Sequence, residues 1–327
     1  MTMTREEWLA ARKRGIGATD AVAVCGLSPW RDALAVYCDK LSLVEPDAPT
    51  EEMEFGILAE PLVAQLYEKR TGLALVEPAE RLVGRRDEPW AICSPDRFRK
   101  SDGRLVEIKT ANPFRARDWG EEGTDAVPDH YAAQVVWQMF VLEVDVVDLA
   151  VLLGRKLLIY TLRRDDRAVI DGLSFAEWMR GRCCAFWFEN VLAEVPPEVA
   201  GTEASKRALA ALYPRERSGE IVTVADAEAE DAFRRLRDAK AALADAMAAK
   251  LAAENQIKER IGEWAGLRVE GMGTATWKAG ADTVGVDWEA LARVEVAAER
   301  LAAVRAAYER VTRRAGRTFR VKFEDDE

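Results

Sequence analysis

The sequence predicts a mixed α/β (α+β) domain followed by a C-terminal helical extension. Over residues 1–195, short apolar segments of strand length alternate with longer segments whose apolar residues recur every three or four positions. Residues 196–225 contain three prolines and two glycines, which predicts a connector with a short helix inside it. Residues 226–264 are rich in Ala, Glu, Lys and Arg, which favours a long helix. The chain is therefore expected to form two structured parts joined by a connector.

The elements of the first domain follow from the spacing of its apolar residues. Predicted strands, which are short and apolar, are residues 74–76, 91–94, 105–109, 146–153 and 156–162. Predicted helices are residues 6–14, 20–25, 33–41, 54–70, 131–142 and 174–192. Gly154 lies between the last two strands and indicates a hairpin turn. Ser174 and Glu177 have the spacing of a capping box, which marks the start of the last helix.

The C-terminal part, residues 226–327, is predicted to be a helical hairpin that carries a small β element. Apolar stripes at helical spacing in residues 226–264 and 291–311 predict two antiparallel helices that pack on each other. Between them, residues 267–278 have the pattern of two short strands joined by a glycine turn. Residues 317–323 alternate polar and apolar side chains, as a half-buried strand does. We expect an accessory arm that serves oligomerisation or a partner.

The scarcity of histidine restricts the chemistry most. The chain has one histidine, His130, so a zinc site built from two or three histidines is excluded within a single chain. A Ser-His-Asp triad would have to use His130 alone. The five cysteines are scattered, which favours reduced thiols over a disulfide framework or an iron–sulfur cluster. Catalysis is therefore expected to depend on carboxylates, lysine and a hard metal ion.

The net charge of −10 argues against a protein that coats nucleic acid without specificity. Local basic patches still suit an enzyme of DNA, and residues 313–322 carry five positive charges without an acid. No run of about 18 apolar residues is present, so no membrane span is expected. The N-terminal residues lack the apolar core of a signal peptide, and we expect a cytoplasmic protein of a bacterial or phage-infected cell.

One constellation predicts chemistry directly. Glu107 and Lys109 are two positions apart on a predicted strand, so their side chains point to the same face. Asp96 follows the preceding strand, where a turn can bring it beside Glu107. Two converging carboxylates form a site for Mg²⁺, and a neighbouring lysine can orient or deprotonate water, or neutralise developing charge. An exposed cross-strand Glu–Lys pair would give the same pattern, so this constellation alone leaves both interpretations open.

Four stretches in order resemble the YqaJ-type viral recombinase family, in the lambda-exonuclease-like branch of the PD-(D/E)XK nuclease superfamily. They are GIGATD with GLSPW at residues 15–20 and 26–30, FGILAEP at 55–61, SPD with VEIKT at 94–96 and 106–110, and YAAQ at 131–134. Together they cover roughly residues 12–160. The wider superfamily often has a tyrosine four positions after the glutamine of its last motif. This chain has Gln138 there, and Tyr131 instead precedes Gln134, as in the lambda-exonuclease branch.

The resemblance implies a PD-(D/E)XK nuclease core, in which a central mixed β-sheet is flanked by helices. It implies that Asp96, Glu107 and the backbone carbonyl of Ile108 bind Mg²⁺, for which Mn²⁺ can substitute. Glu60 would serve the same metal from its helix, and Lys109 would be the catalytic lysine. Read from the residues alone, Glu60 could instead face solvent, and the proline that follows it predicts a kink or a restart of the helix.

The resemblance also assigns residues to the substrate. Gln134 would contact the water or the phosphate, and Tyr131 would support the pocket. Arg12 and Thr19 fall where the exonuclease relatives hold a terminal phosphate. From the residues alone, Gln134 could merely bridge helices, and Thr19, which precedes Asp20, could be a helix cap.

The predicted function is a Mg²⁺-dependent DNA exonuclease that acts on duplex ends, 5′ to 3′, and leaves single-stranded DNA for phage-type recombination. The resemblance implies a ring-shaped homo-oligomer, a trimer, and a single-strand annealing protein as partner. Two alternatives stay open. One is a PD-(D/E)XK endonuclease of the restriction or repair type, and the other is a catalytically idle DNA-binding or assembly protein.

Overall fold

The chain divides into two compact units, residues 1–214 and residues 215–327. The computed structural model describes residues 4–45, 50–164, 170, 172–216, 219, 221–270, 272–277 and 300. Within those ranges, no helix combines the length and apolar character that crossing a membrane requires.

Five of the seven α-helices described in the first unit begin at a polar side chain that caps them. Its α-helices in the described ranges are α1 (Arg5–Arg12), α2 (Ala18–Val24), α3 (Ala33–Lys40), α4 (Glu51–Thr71), α5 (Asp129–Leu142), α6 (Phe175–Ala185) and α7 (Glu203–Leu212). The predicted capping box of Ser174 with Glu177 is present at the start of α6. A π-helical segment, Phe186–Val191, continues α6, so the predicted helix 174–192 is made of two helix types. A 3-10 helix, Pro113–Asp118, was not predicted.

Helix α4 continues through Pro61, in agreement with the single helix predicted over residues 54–70, and it does not restart at this proline. A proline inside a helix costs about 3 kcal/mol, because it removes a backbone hydrogen bond and crowds the preceding turn. The turns after Pro61 bury Val63 and Tyr67 in one cluster with Val106 of the sheet. Burial of these apolar side chains offsets the cost of the proline.

The first unit is built on a mixed sheet, as predicted, to which the described residues contribute five strands. Its strands, in spatial order, are β1 (Leu75–Val76), β4 (Arg97–Arg99), β5 (Leu105–Ala111), β6 (Val146–Leu153) and β7 (Lys156–Arg163). The short strand Arg97–Arg99 among them was not predicted. Strands β5 and β6 are parallel, and the other neighbours are antiparallel. A separate antiparallel pair, β2 (Val83–Gly84) and β3 (Ile92–Cys93), contains the predicted strand 91–94. The turn between β6 and β7 contains Gly154 in the left-handed conformation (φ +64°), as a tight hairpin requires.

Helices cover both faces of this sheet, and the alternation along β5 decides which residue faces which helix. Leu105 packs with Val135 and other residues of α5. Val106 and Ile108 point the other way and pack against α4. Glu107 and Lys109 alternate with Val106 and Ile108 along β5 and share the face of Leu105. They therefore lie on the α5 side of the sheet. The mixed sheet flanked by helices that was expected of a PD-(D/E)XK core is confirmed.

Helix α7 comes from the predicted connector, residues 196–225, but packs on the first unit. Ser205 donates from its hydroxyl to Asp32 Oδ2 at 2.7 Å, and Ala208 joins the core cluster around α2 and α3. The first unit accordingly extends to residue 214. The sequence analysis placed its end at residue 195, before this helix.

The second unit contains one long helix in its described part, α8 (Ala227–Ile261), followed by β8 (Gly266–Val269) and β9 (Gly273–Thr276). The two strands pair antiparallel, in agreement with the two short strands predicted within residues 267–278. The predicted second helix, the C-terminal strand at 317–323 and the basic stretch 313–322 lie outside the described residues.

Candidate active site

The carboxylate of Glu107 is the centre of the candidate site. It is 1% exposed and accepts hydrogen bonds at both oxygens. Lys109 Nζ and Gln134 Nε2 donate to Glu107 Oε1 at 2.6 and 2.7 Å. Gln138 Nε2 donates to Glu107 Oε2 at 2.7 Å. A buried charge held by three donors is stable as a charge, and an exposed cross-strand pair does not describe this glutamate.

Helix α5 supplies both glutamines because residues four apart lie on the same helix face. Gln134 was predicted as a site residue, and its side chain donates to Glu107. Gln138 was not predicted as one. Its spacing from Gln134 was the signal that could have identified it, since a second polar side chain on an otherwise apolar, buried helix face needs a partner.

Asp96 lies immediately before β4 and reaches β5 through a hydrogen bond. Its Oδ2 accepts from the backbone N–H of Ile108 at 2.8 Å. Burial, and then the nearby Glu107 charge, raise the pKa of Asp96 well above its usual value, despite the opposing effects of Lys109 and of the Ile108 N–H. The two predicted carboxylates are thus close enough to repel each other, as ligands of one cation are.

Lys109 keeps its proton in this arrangement. Burial lowers the pKa of Lys109, but Glu107 and Asp96 raise it more, and the net pKa lies above the usual value. Tyr131 lies near this ammonium group, and its ring stacks on Trp119 with centroids 5.2 Å apart. Lys109 therefore lies among groups that stabilise its charged form.

Glu60 projects from α4 toward the same region but is bound to Arg97. Arg97 Nη1 donates to Glu60 Oε1 and to the backbone carbonyl oxygen of Asp96, each at 2.6 Å. Glu60 is near enough to add to the rise in the pKa of Asp96. Arg97, which the sequence analysis missed, thus connects the α4 carboxylate to the turn that carries Asp96.

Arg12 and Thr19, predicted to bind a terminal phosphate, contact each other. Arg12 Nη2 donates to Thr19 Oγ1 at 3.0 Å, and the guanidinium lies over the Trp8 ring at 4.7 Å. Trp8 Nε1 in turn donates to Ser94 Oγ at 3.0 Å. Ser94 is two residues before Asp96, so this chain of contacts connects the Arg12–Thr19 pair to the carboxylate site.

The same pair lies beside a buried ionic cluster around Asp20. Lys40 Nζ donates to Asp20 Oδ2 at 2.7 Å, and Arg31 and Arg12 lie within 3.6 and 4.0 Å of its oxygens. Burial raises the pKa of Asp20, but the charges of Lys40 and the two arginines lower it by more. The net pKa of Asp20 is about 2. Asp20 also accepts the backbone N–H of Gly17, so the cap of α2 belongs to Asp20 rather than to Thr19. The hydroxyl of Thr19 is therefore not used as the cap of α2.

The part of the chain that contains these groups is similar to a known family of domains. Residues 7–145 match the description of a YqaJ-like viral recombinase domain. The protein YqaJ of Bacillus subtilis (strain 168) is 27% identical over 263 residues, which cover 79% of each chain.

Two crystal structures of the alkaline exonuclease LHK-Exo are also similar to this chain. Each is 22% identical and covers 64% of this chain and 100% of the exonuclease chain. The TM-score is 0.47 for the complex with dAMP and 0.46 for the enzyme from Laribacter hongkongensis. The matched residues 7–145 include Glu60, Asp96, Glu107, Lys109 and Gln134.

The carboxylates of the candidate site fit a hard divalent cation in part. Asp96 and Glu107 offer oxygen ligands, and their mutual repulsion is what a bound cation would relieve. Glu60 has Arg97 as its ion-pair partner. In the part of the chain that is described, no three His, Cys, Asp or Glu side chains assemble into a metal site. Asp96 and Glu107 would thus supply two side-chain ligands, and backbone and water oxygens would have to supply the others.

Proposed function

We propose that this chain is a Mg²⁺-dependent DNA exonuclease that digests from duplex ends and leaves single-stranded DNA for recombination. One observation supports the proposal most. Inside a YqaJ-like viral recombinase domain, the buried Glu107 is held by Lys109 and two glutamines and lies close enough to Asp96 to raise its pKa. Mn²⁺ would also support the reaction in place of Mg²⁺, because both ions accept oxygen ligands.

The reaction would be hydrolysis of a phosphodiester. The oxygen of water bonds to phosphorus, the bond from phosphorus to the 3′ oxygen breaks, and that oxygen takes a proton, which leaves a 5′ phosphate and a 3′ hydroxyl. When held by Asp96, Glu107 and the carbonyl of Ile108, with Glu60 nearby, the ion would polarise the phosphate and acidify the water. Lys109 would neutralise charge on the phosphate or orient the water. Gln134 would hold Glu107 in place and contact the water or the phosphate.

Arg12 and Thr19 would bind the 5′ phosphate of the strand end, which would give digestion from 5′ to 3′. A guanidinium and a hydroxyl are both suitable donors to phosphate oxygens. A ring-shaped homo-oligomer and a single-strand annealing partner are the expected assemblies, in the cytoplasm of a bacterial or phage-infected cell. The arm formed by residues 226–327 is the part we propose for these contacts.

A gel assay on labelled DNA tests the function. Linear duplex with a label at the 5′ or the 3′ end, and covalently closed circular duplex, are incubated with the purified chain and Mg²⁺. We expect loss of the linear DNA from its 5′ ends and no loss of the circle. Asp96→Asn and Glu107→Gln should abolish the loss. Glu189→Gln, which changes an exposed acid, should not.

The outcomes separate the alternatives. Cutting of the circle would favour an endonuclease of the restriction or repair type. Binding of DNA without digestion in Mg²⁺ or Mn²⁺ would favour a catalytically idle binding or assembly protein. Digestion from the 3′ ends would leave the nuclease in place and contradict the proposed polarity.

A further inference from the structure

Trp30 is a large aromatic residue held at the surface by backbone geometry. Its side chain is 60% exposed. The hydroxyl of Ser28 accepts the backbone N–H groups of Trp30 and Arg31, each at 3.2 Å. Arg207 donates to the carbonyl oxygen of Trp30 at 3.2 Å. These contacts fix the backbone of the turn that carries the exposed indole.

A row of rings runs inward from Trp30. Its ring meets His130 edge-on, with centroids 5.1 Å apart, and His130 is 4.1 Å from the ring of Tyr131. Tyr131 stacks on the buried Trp119. Burial and the neighbouring Arg115 lower the pKa of His130, so its ring is uncharged at neutral pH. Trp30 is thus supported from behind by aromatic contacts that continue into the core.

This row adjoins the candidate active site. His130 precedes Gln134 by four residues on α5, and Gln134 precedes Gln138 by four, so the three share one helix face. Gln134 and Gln138 both donate to Glu107. His130 lies about 6 Å further along the helix axis, at a rise of about 1.5 Å per residue. A strand whose phosphate lies at Glu107 therefore has Trp30 within reach of its neighbouring nucleotides.

We propose that Trp30 is a stacking platform for an unpaired base of the DNA strand whose phosphate lies at the carboxylate site. This inference rests on the proposed function. Exposed aromatic rings bind single-stranded DNA because every base has a flat face, and stacking is largely independent of sequence. The guanidinium of Arg207 donates to the backbone carbonyl oxygen of Trp30, and a positive charge at this place favours the phosphates of the same strand.

Binding without catalysis tests the platform. The full chain in EDTA is titrated against a fluorescently labelled duplex whose 5′ end carries a few unpaired nucleotides, and binding is followed by anisotropy. Trp30→Leu should weaken binding roughly tenfold or more, as loss of one base–aromatic stack does. Trp30→Phe, which keeps an aromatic face, should retain most of the affinity. Phe188→Leu is the matched control, since it changes an exposed aromatic residue elsewhere in the same unit.

A second series removes the bases instead of the tryptophan. Each unpaired nucleotide is replaced in turn by an abasic one. At one position, wild type and Trp30→Leu should bind equally well, because the base that would stack is gone. This coupling is what a merely structural role of Trp30 would not produce, and melting curves of each variant check that the fold is kept.

The results that overturn the inference are distinct. The stacking proposal is wrong if Trp30→Leu binds DNA as tightly as wild type does. It is also wrong if the affinity of Trp30→Leu is lower than that of wild type by the same factor on every abasic DNA. In both cases the proposed nuclease function stands. If wild type neither binds nor digests DNA, both proposals fall. If Trp30→Leu binds DNA normally but loses a protein contact, the exposed indole is a partner surface instead.

Discussion

The side-chain amide of Gln138 donates to Glu107 Oε2 at 2.7 Å, on the opposite oxygen from the one that Lys109 and Gln134 hold. The position is the one where the wider superfamily often has a tyrosine. Gln138 is 1% exposed, and its own Oε1 is a buried atom without a hydrogen-bond partner among the described residues. An unsatisfied buried acceptor is costly. The hydrogen bond that the amide nitrogen of Gln138 donates to Glu107 therefore explains why a glutamine is buried here.

Replacing Gln138 by leucine should weaken both the fold and the reaction. Glu107 Oε2 would lose its donor in a buried place, which costs about 1–3 kcal/mol, partly offset because the unpaired Oε1 is also removed. Urea unfolding should show the lower stability, and the digestion rate should fall because Glu107 is less firmly oriented. A variant as stable and as active as wild type would show that this hydrogen bond does not matter.

Asp96→Asn and Glu107→Ala should abolish DNA digestion, and the metal-free Asp96→Asn variant should be more stable than wild type at neutral pH. The folded protein raises the pKa of Asp96 above 3.8, so folding is favoured below that pH and weakened as the pH rises toward the folded pKa. Asparagine removes this penalty and can still accept the Ile108 N–H. The unfolding free energy of Asp96→Asn should therefore exceed that of wild type at neutral pH, and the difference should disappear near pH 4.

Mg²⁺ supplies the control for that experiment. It should raise the melting temperature of wild type, because a ligand that binds only the folded state stabilises it. It should leave Asp96→Asn nearly unchanged. Equal Mg²⁺ stabilisation of both proteins, or wild-type digestion by either variant, would place the metal site elsewhere.

How much the sequence predicted depended on local regularity. Glu107 and Lys109 share a face because a strand alternates, and the alternation is visible in the residues themselves. The contact between Asp96 and the Ile108 N–H is not visible in the sequence, because the two residues are 12 positions apart. The strand that follows Asp96, β4, has only 3 residues and therefore no clear alternation. Arg97 was missed for the same reason. Its partner Glu60 is distant in sequence, and no spacing rule connects the two.

Lys109→Ala should slow digestion roughly 10²- to 10⁴-fold, the usual effect of losing a positioned proton-transfer or charge-neutralising group. Lys109→Arg should restore part of the rate but not all of it, because a guanidinium is larger and forks differently around Glu107. The measurement is the rate constant across a pH series at saturating Mg²⁺. If the arginine variant keeps the wild-type rate at every pH, Lys109 acts at most as a charge and not as a base.

The Arg12–Thr19 pair should matter for strand ends rather than for bond cleavage. Wild type should digest a 5′-phosphorylated duplex faster than a 5′-hydroxyl duplex, and Arg12→Ala should reduce that ratio toward one. Lys13→Ala is a matched control, since it removes the neighbouring positive charge, whose partner is Ser42 rather than Thr19. Equal digestion of both ends by wild type would remove the assignment of a phosphate pocket to this pair.

The last prediction concerns the second unit. Several residues of the predicted apolar stripe of α8 are exposed, Phe233 by 56% and Met247 by 63% among them. Yet every candidate catalytic residue belongs to residues 1–214, a compact unit that also contains all of the residues that match the YqaJ-like description. A chain that ends at Ala225 should therefore fold and cut short duplexes at close to the wild-type initial rate. It should lose processivity on long duplexes, or binding to a partner or to further copies of the chain, which single-turnover digestion and light scattering would measure. A second truncation, which ends at residue 195 and so removes α7, is the informative comparison, because it exposes Asp32 and the core beneath Ala208 and should be less stable. If the chain ending at Ala225 is insoluble or inactive, the long helix is part of the nuclease rather than an accessory arm.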